Sequence, residues 1–113
     1  MKEEKFCDES YVVEPLEEFF SALSSVKRLQ VVYLLRTGEK SVKELMSCMN
    51  IDQSSLSRHL NILKKAGILK VRREGTLTYY RLSDPRVVDI IQTGLKIVIK
   101  IKEEEMTRLT SLQ

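Results

Sequence analysis

This sequence predicts a mainly α-helical domain with one small β-hairpin: about five helices and a two-stranded hairpin. Three observations carry that expectation. Apolar residues recur at three- and four-residue spacing through five separate segments. Apolar and polar residues alternate on both sides of a turn between Leu69 and Leu82. Cap and turn residues stand at the joints between segments.

Residues 1–14 read as a flexible acidic tail. The domain proper is expected over residues 15–113. Pro15 suits the first turn of a helix, and Leu16, Phe19, Phe20 and Leu23 follow at helical spacing. Ser24 and Ser25 break that helix and can cap the next, whose stripe is Leu29, Val32 and Leu35 with Val31 beside them. Thr37-Gly38 stops it. Ser41 to Glu44 reads SVKE, a capping box, so a short third helix runs to about Met49. Asn50-Ile51 turns the chain and Asp52 caps a fourth helix.

On that fourth helix Leu56, Leu60 and Leu63 face inward, flanked by Ile62. Gln53, Ser54, Ser57, Arg58 and Asn61 share the opposite face. Gly67 ends the helix. Leu69 and Val71 then alternate with Lys70 and Arg72, and Leu77, Tyr79 and Arg81 with Thr78 and Tyr80. Arg73-Glu74-Gly75-Thr76 is the turn of a hairpin with a basic tip. Asp84-Pro85 opens the last segment as a cap followed by proline. Ile97, Ile99 and Ile101 alternate and allow a strand there. Helix is preferred, because apolar positions continue from Val87 without a turn residue other than Gly94. Such a helix, over about residues 85–105, is about 30 Å long. Its apolar arc is too wide for one small domain to cover. A homodimer is therefore expected, built on Leu16, Phe19 and Phe20 of the first helix and Val87, Ile91, Gly94, Leu95 and Val98 of the last.

Charge is divided along the chain. The net charge of +3 conceals a segment, Arg58 to Arg81, that carries +6, while the first 24 residues carry −5. A local excess of Lys and Arg is the footprint of a phosphate-binding surface. No apolar run approaches the roughly 18 residues of a membrane span, and the N-terminus lacks the apolar core of a signal peptide. Two cysteines, Cys7 and Cys48, are too few for a disulfide scaffold. A cytoplasmic protein is expected. One histidine, no glycine-rich phosphate loop and no serine elbow motif argue against an enzyme. No cofactor is expected.

Short helices, a polar-faced helix and a basic hairpin compose a helix-turn-helix with a wing. A helix fits the major groove, and small polar side chains let its backbone approach base edges. Double-stranded DNA is thus the expected partner. Gln53, Ser54, Ser57, Arg58 and Asn61 would meet the groove, and Lys64, Arg72, Arg73 and Thr76 the backbone beside it. The small polar face favours DNA over the alternative, a winged-helix module that docks an acidic protein, since protein-binding faces more often carry aromatic anchors.

The run SVKELMSCMNIDQSSLSRHLNILKKAGILKVRREGTLTYYRLSD resembles the ArsR/SmtB family of winged-helix repressors. SLSRHLNILKKAGIL and EGTLTYYRL are its most specific pieces, and the likeness spans roughly residues 15–105. The resemblance implies a prokaryotic homodimeric repressor that binds an imperfect inverted repeat and is released by an inducer, often a metal or metalloid ion. The family's metal sites are not carried by these residues. Ser41 and Lys43 stand where third-helix thiolates would be. Of the positions that hold zinc between paired last helices, Asp84 remains, but Arg86, Ile97 and Lys100 occupy the others. No metal ligand is assigned, and the effector is left unidentified: a small molecule, a redox signal or none at all. Cys48 is expected in the core as a small hydrophobe, and His59 in a structural role. A redox-gated repressor using Cys7 and Cys48 is the remaining alternative.

Overall fold

Every helix after the first starts where the sequence supplies a side-chain acceptor for its unpaired N–H groups. The computed structural model describes residues 10–112. Helix α1 spans Ser10–Leu23, α2 Val26–Leu34, α3 Val42–Cys48, α4 Gln53–Lys65 and α5 Arg86–Ser111. A 3-10 turn, Leu35–Thr37, extends α2. The Ser25 hydroxyl accepts from the N–H of Arg28 at the start of α2. At α3 the box closes both ways: Ser41 Oγ accepts from Glu44 N, and Glu44 Oε1 from Ser41 N, each at 3.0 Å. Asp52 accepts from the N–H and the hydroxyl of Ser55 at 3.0 and 2.8 Å. Asp84 Oδ1 accepts from Arg86 N at 2.9 Å, while Pro85 already has helical dihedrals. The expected cap-then-proline order therefore holds at α5.

Helix α1 begins at Ser10, not at Pro15, so the acidic segment ahead of the proline is helical in part. Pro15 has no N–H to offer the carbonyl one turn back, and the helix continues past that single missing bond. Residues 1–9, and Cys7 with them, lie outside the described residues.

Three strands form one antiparallel sheet in the order β1-β3-β2. Strand β2 is Leu69–Glu74, β3 is Leu77–Leu82, and β1 is the two-residue Lys40–Ser41. The turn is only Gly75-Thr76, so Arg73 and Glu74 belong to the strand rather than to the loop. Gly75 has φ +60° and Thr76 does not follow it to positive φ. That is the pattern of a two-residue type II′ turn, whose twist matches the strands. Strand β1 was not anticipated. Two residues carry no readable alternation, and their pairing, Lys40 with Tyr80 and Ser41 with Tyr79, is long-range.

The core gathers around α4. Leu56, Leu60 and Leu63 are fully buried, as are Val31, Val32 and Leu45 from α2 and α3. Each such side chain contributes about 1.5–3 kcal/mol relative to exposure. Val87 and Val88 close the core from α5. Val87 thus faces its own protomer and is withdrawn from the expected dimer face. Phe19 and Ile91 also pack against this core. Beyond Ile91 the helix leaves the body. At 26 residues it is about 39 Å long, longer than expected because it runs to Ser111. The radius of gyration is 17.7 Å, against about 13 Å for a compact chain of this length. The projecting helix accounts for the excess. No described helix is long and apolar enough to cross a membrane.

Candidate nucleic-acid interface

Gln53, Ser54, Ser57, Arg58, Asn61 and Lys64 are all exposed, on one side of α4. Burial of the leucines on the opposite side fixes the rotation of the helix, so the polar face is presented rather than free to turn. Among the described residues no ion pair engages Arg58 or Lys64. Their charges remain available to a ligand. Lys64 and Lys65 lie in the last turn, where they also oppose the negative end of the helix dipole.

Two contacts hold α4 in place besides its leucines. The Asp52 cap anchors its first turn. At its middle, Arg28 of α2 donates through NH1 to His59 Nδ1 at 3.0 Å and through Nε to the Ala22 carbonyl at 2.6 Å. An arginine can only donate, so the imidazole accepts at Nδ1 and carries its proton on Nε2. Partial burial, then the nearby charges of Arg28, Arg58 and Lys27, push the His59 pKa down. His59 is a structural tie among α1, α2 and α4, as expected for a histidine without neighbouring ligands.

The wing differs from its sequence reading at Arg72. Its guanidinium grips Glu39 in bidentate fashion, with NH2 to Oε1 at 2.7 Å and Nε to Oε2 at 3.1 Å. NH1 meets Glu74 at 2.7 Å, and the group lies 4.5 Å over the Tyr79 ring. The Arg72 hydrogen bond holds the Glu39 carboxyl below its ordinary range. Two carboxylates meet one cation, so Arg72 is ion-paired midway along the wing. Glu39 lies outside the basic segment in sequence, which is why the count from Arg58 to Arg81 overstated the positive charge there. Arg73 and Thr76 are exposed at the wing tip, and no ion pair among the described residues takes up Arg73.

Between the start of α4 and the wing lies a cleft of about 420 Å³, bordered by Ser41, Lys43, Gln53, Thr76 and Thr78. Lys43 and Thr78, which border this cleft, were not among the residues expected to meet DNA. Only the fold brings them beside Gln53, and the sequence offered no signal for it.

Cys48 is exposed, against the expectation of core packing. It is the last residue of α3, and the adjacent Met49 takes the core position instead. Cys48 edges an apolar groove of about 560 Å³ between α2, the α3–α4 turn and α5, with Leu29, Tyr33, Leu34 and Ile91. Asp84 has both carboxylate oxygens engaged by Arg86, at 2.7–3.1 Å, which brings its pKa down to about 2. Among the described residues no three of His, Cys, Asp and Glu converge as ligands would.

Comparison with known proteins points the same way. Residues 25–71 match the model of the arsR family of bacterial regulatory proteins. An uncharacterized HTH-type transcriptional regulator of Methanocaldococcus jannaschii is 41% identical over 80 residues, covering 70% of this chain and 90% of the relative. The arsenical resistance operon repressor of Bacillus subtilis is 33% identical, over 84% of this chain and 91% of its own. Among solved structures, Rv0081 of M. tuberculosis superposes with a TM-score of 0.74 at 26% identity, over 84% of this chain and 96% of that one. The homodimeric winged helix-turn-helix DNA-binding domain of Mb0332 from Mycobacterium bovis gives 0.74 at 25% identity, over 88% and 92%.

Proposed function

The chain belongs to the ArsR family of bacterial regulatory proteins and is a DNA-binding transcriptional regulator, and from that premise we propose a homodimeric repressor that reads an inverted-repeat operator. The observation that carries this proposal is the α4 face: five small or planar polar side chains, all exposed, among them Arg58, which no ion pair among the described residues engages. Gln53 and Arg58 have the donor geometry to bond adenine and guanine edges in bidentate fashion. Ser54, Ser57 and Asn61 allow close backbone approach. Lys64, Arg73 and Thr76 meet phosphates on either side, and Lys43 with Thr78 lines the cleft between them. Arg72 stiffens the wing from behind.

A second copy covers the apolar residues left bare on α1 (Leu16 and Phe20) and on α5 (Leu95 and Val98, beside Gly94). Phe19 supports Phe20 edge-on, with ring centroids 5.2 Å apart. Dimerisation sets two α4 helices into successive major grooves, about one helical turn apart. Occlusion of a promoter then represses. Release does not run through the family's thiolate or paired-helix metal sites: Ser41 and Lys43 hold the first position, and Arg86 occupies the Asp84 carboxylate at the second.

Selection of bound duplexes from a random pool, at near-physiological salt, tests this. An enriched inverted repeat with half-sites about one turn apart is the expected result. The Arg58→Ala protein, selected in parallel, is expected to lose discrimination at one base per half-site, by about 1–3 kcal/mol, and to remain a dimer. A recovered pool identical to the input would overturn the DNA-reading role of α4.

A further inference from the structure

The groove edged by Cys48 has no part in the DNA-facing surface. It opens between α2, the turn from α3 to α4, and α5. Its floor is apolar: Leu29 and Leu34 of α2, Met49 after α3 and Ile91 of α5 are buried or half-buried there. Its volume of about 560 Å³ falls among those of small-molecule sites, roughly 300–1,000 Å³. Its border is far short of the about 20–30 residues that a stable protein interface takes on each side. None of Leu16, Phe20, Leu95 and Val98, the residues assigned to the second copy, borders it.

The rim is polar and positive. Lys27 borders the groove, and its amine reaches the Asn50 carbonyl only at 3.5 Å, the long limit of a hydrogen bond. At the far end of α2, the Arg36 guanidinium lies 3.8 Å over the ring of Tyr33, which also borders the groove. Among the described residues neither cation enters an ion pair, and no carboxylate borders the groove. Gln30 and Asn50 add amide donors beside Lys27. An anion placed at Lys27 is therefore attracted and met by no like charge. A neutral apolar molecule would leave the amine unanswered, and a cation would be repelled.

The bordering elements have different duties. Met49 and Asn50 lead into α4, whereas Ile91 belongs to the helix assigned to the dimer. A body seated between them sets their separation, and through it the spacing of the two α4 helices. A ligand that fits one separation only shifts the population toward it.

We propose that this groove is the effector site, that it takes an amphipathic organic acid with its carboxylate on Lys27 and its apolar body on Leu29, Met49 and Ile91, and that occupancy weakens DNA binding; this rests on the regulator reading and supplies the class of inducer.

The probe is decanoate, compared with decanol and decyltrimethylammonium. Cys48 is the reporter, since an occupant of the groove shields its thiol from iodoacetamide. In the full chain with Cys7→Ser, saturating decanoate is expected to remove most of the Cys48 reactivity. The other two are expected to need roughly tenfold higher concentrations, because they lack the charge-assisted bond to Lys27. Lys27→Met is expected to weaken decanoate about tenfold and to leave decanol unchanged. Gln30→Trp, at an exposed bordering position, fills the groove and is expected to abolish shielding by all three while thermal melting shows a folded chain. Saturating decanoate is expected to lower affinity for the selected operator about fivefold or more, and not in the Gln30→Trp protein. Equal shielding by the three probes, or undiminished shielding of the Lys27→Met protein by decanoate, would overturn the choice of an acid. Shielding by a polyglutamate peptide and not by decanoate would replace the small acid with an acidic protein segment. Shielding without any change in operator affinity would overturn the effector role. The alkylation readout needs no DNA, so loss of the site and loss of operator reading are told apart.

Discussion

At Arg72 three partners converge on one guanidinium: Glu39, Glu74 and the face of Tyr79. Two carboxylates already answer the charge of this cation, so its share in phosphate binding is expected to be small. Removing one of them returns the charge to solvent. The Glu39→Gln variant is therefore expected to bind operator DNA more tightly at low salt, with a steeper dependence of log affinity on log salt. Fluorescence anisotropy titrations across a salt series measure both. Unchanged slope and affinity would mean that Arg72 reaches DNA without leaving Glu39, or does not approach it at all.

Helix by helix, what could be read in advance is what is local. Ser25, the Ser41–Glu44 box and Asp52 mark helix starts because a cap bonds a neighbour two or three residues away. The leucine ladder of α4 set its inner and outer faces by period alone. What escaped depends on chain segments far apart. The grip of Glu39 on Arg72 spans 33 residues, and β1 exists only because β3 lies beside it. Cys48 was misplaced because α3 is short, and its last residue lies past the turn that faces the core. The tie from α4 to α2 through His59 and Arg28 is also long-range, and it responds to pH. The folded state keeps His59 neutral and lowers its pKa, so the unfolded chain binds the proton more readily. Stability from this tie is fully present above the ordinary histidine value of about 6.5, and is lost as pH falls below it toward the lower folded value. The His59→Gln variant, which keeps an acceptor without a titrating ring, is expected to flatten the loss of thermal stability between about pH 7 and pH 5. An unaltered acid limb would show that other groups govern it.

For the molecule as a whole, the proposed homodimer would tie folding to association, because Leu95, Val98, Leu109 and Leu112 of α5 are exposed in the single protomer. A chain that covers its apolar surface only against a second copy has a stability that depends on how many copies are present. The unfolding midpoint of the parental protein is expected to rise with protein concentration across a hundredfold dilution series, followed by circular dichroism. A chain ending after Lys102 keeps Leu95 and Val98 but loses Leu109 and Leu112, and it is expected to show a lower midpoint with weaker association. A midpoint independent of concentration in the parental protein would mean that the monomer is the stable unit.

Ser41 ends the sheet and begins α3 in a single residue. It pairs with Tyr79 of the wing while its hydroxyl caps the helix beside α4. The wing is thereby joined to α3, which packs beside α4, so that wing and α4 border one cleft like the jaws of a caliper. In the proposed complex the duplex would fit that gap or deform to do so. Deformation costs differ between stiff A-tracts and flexible pyrimidine–purine steps. In the proposed complex, base pairs lying between α4 and the wing would then be sorted by how easily they yield.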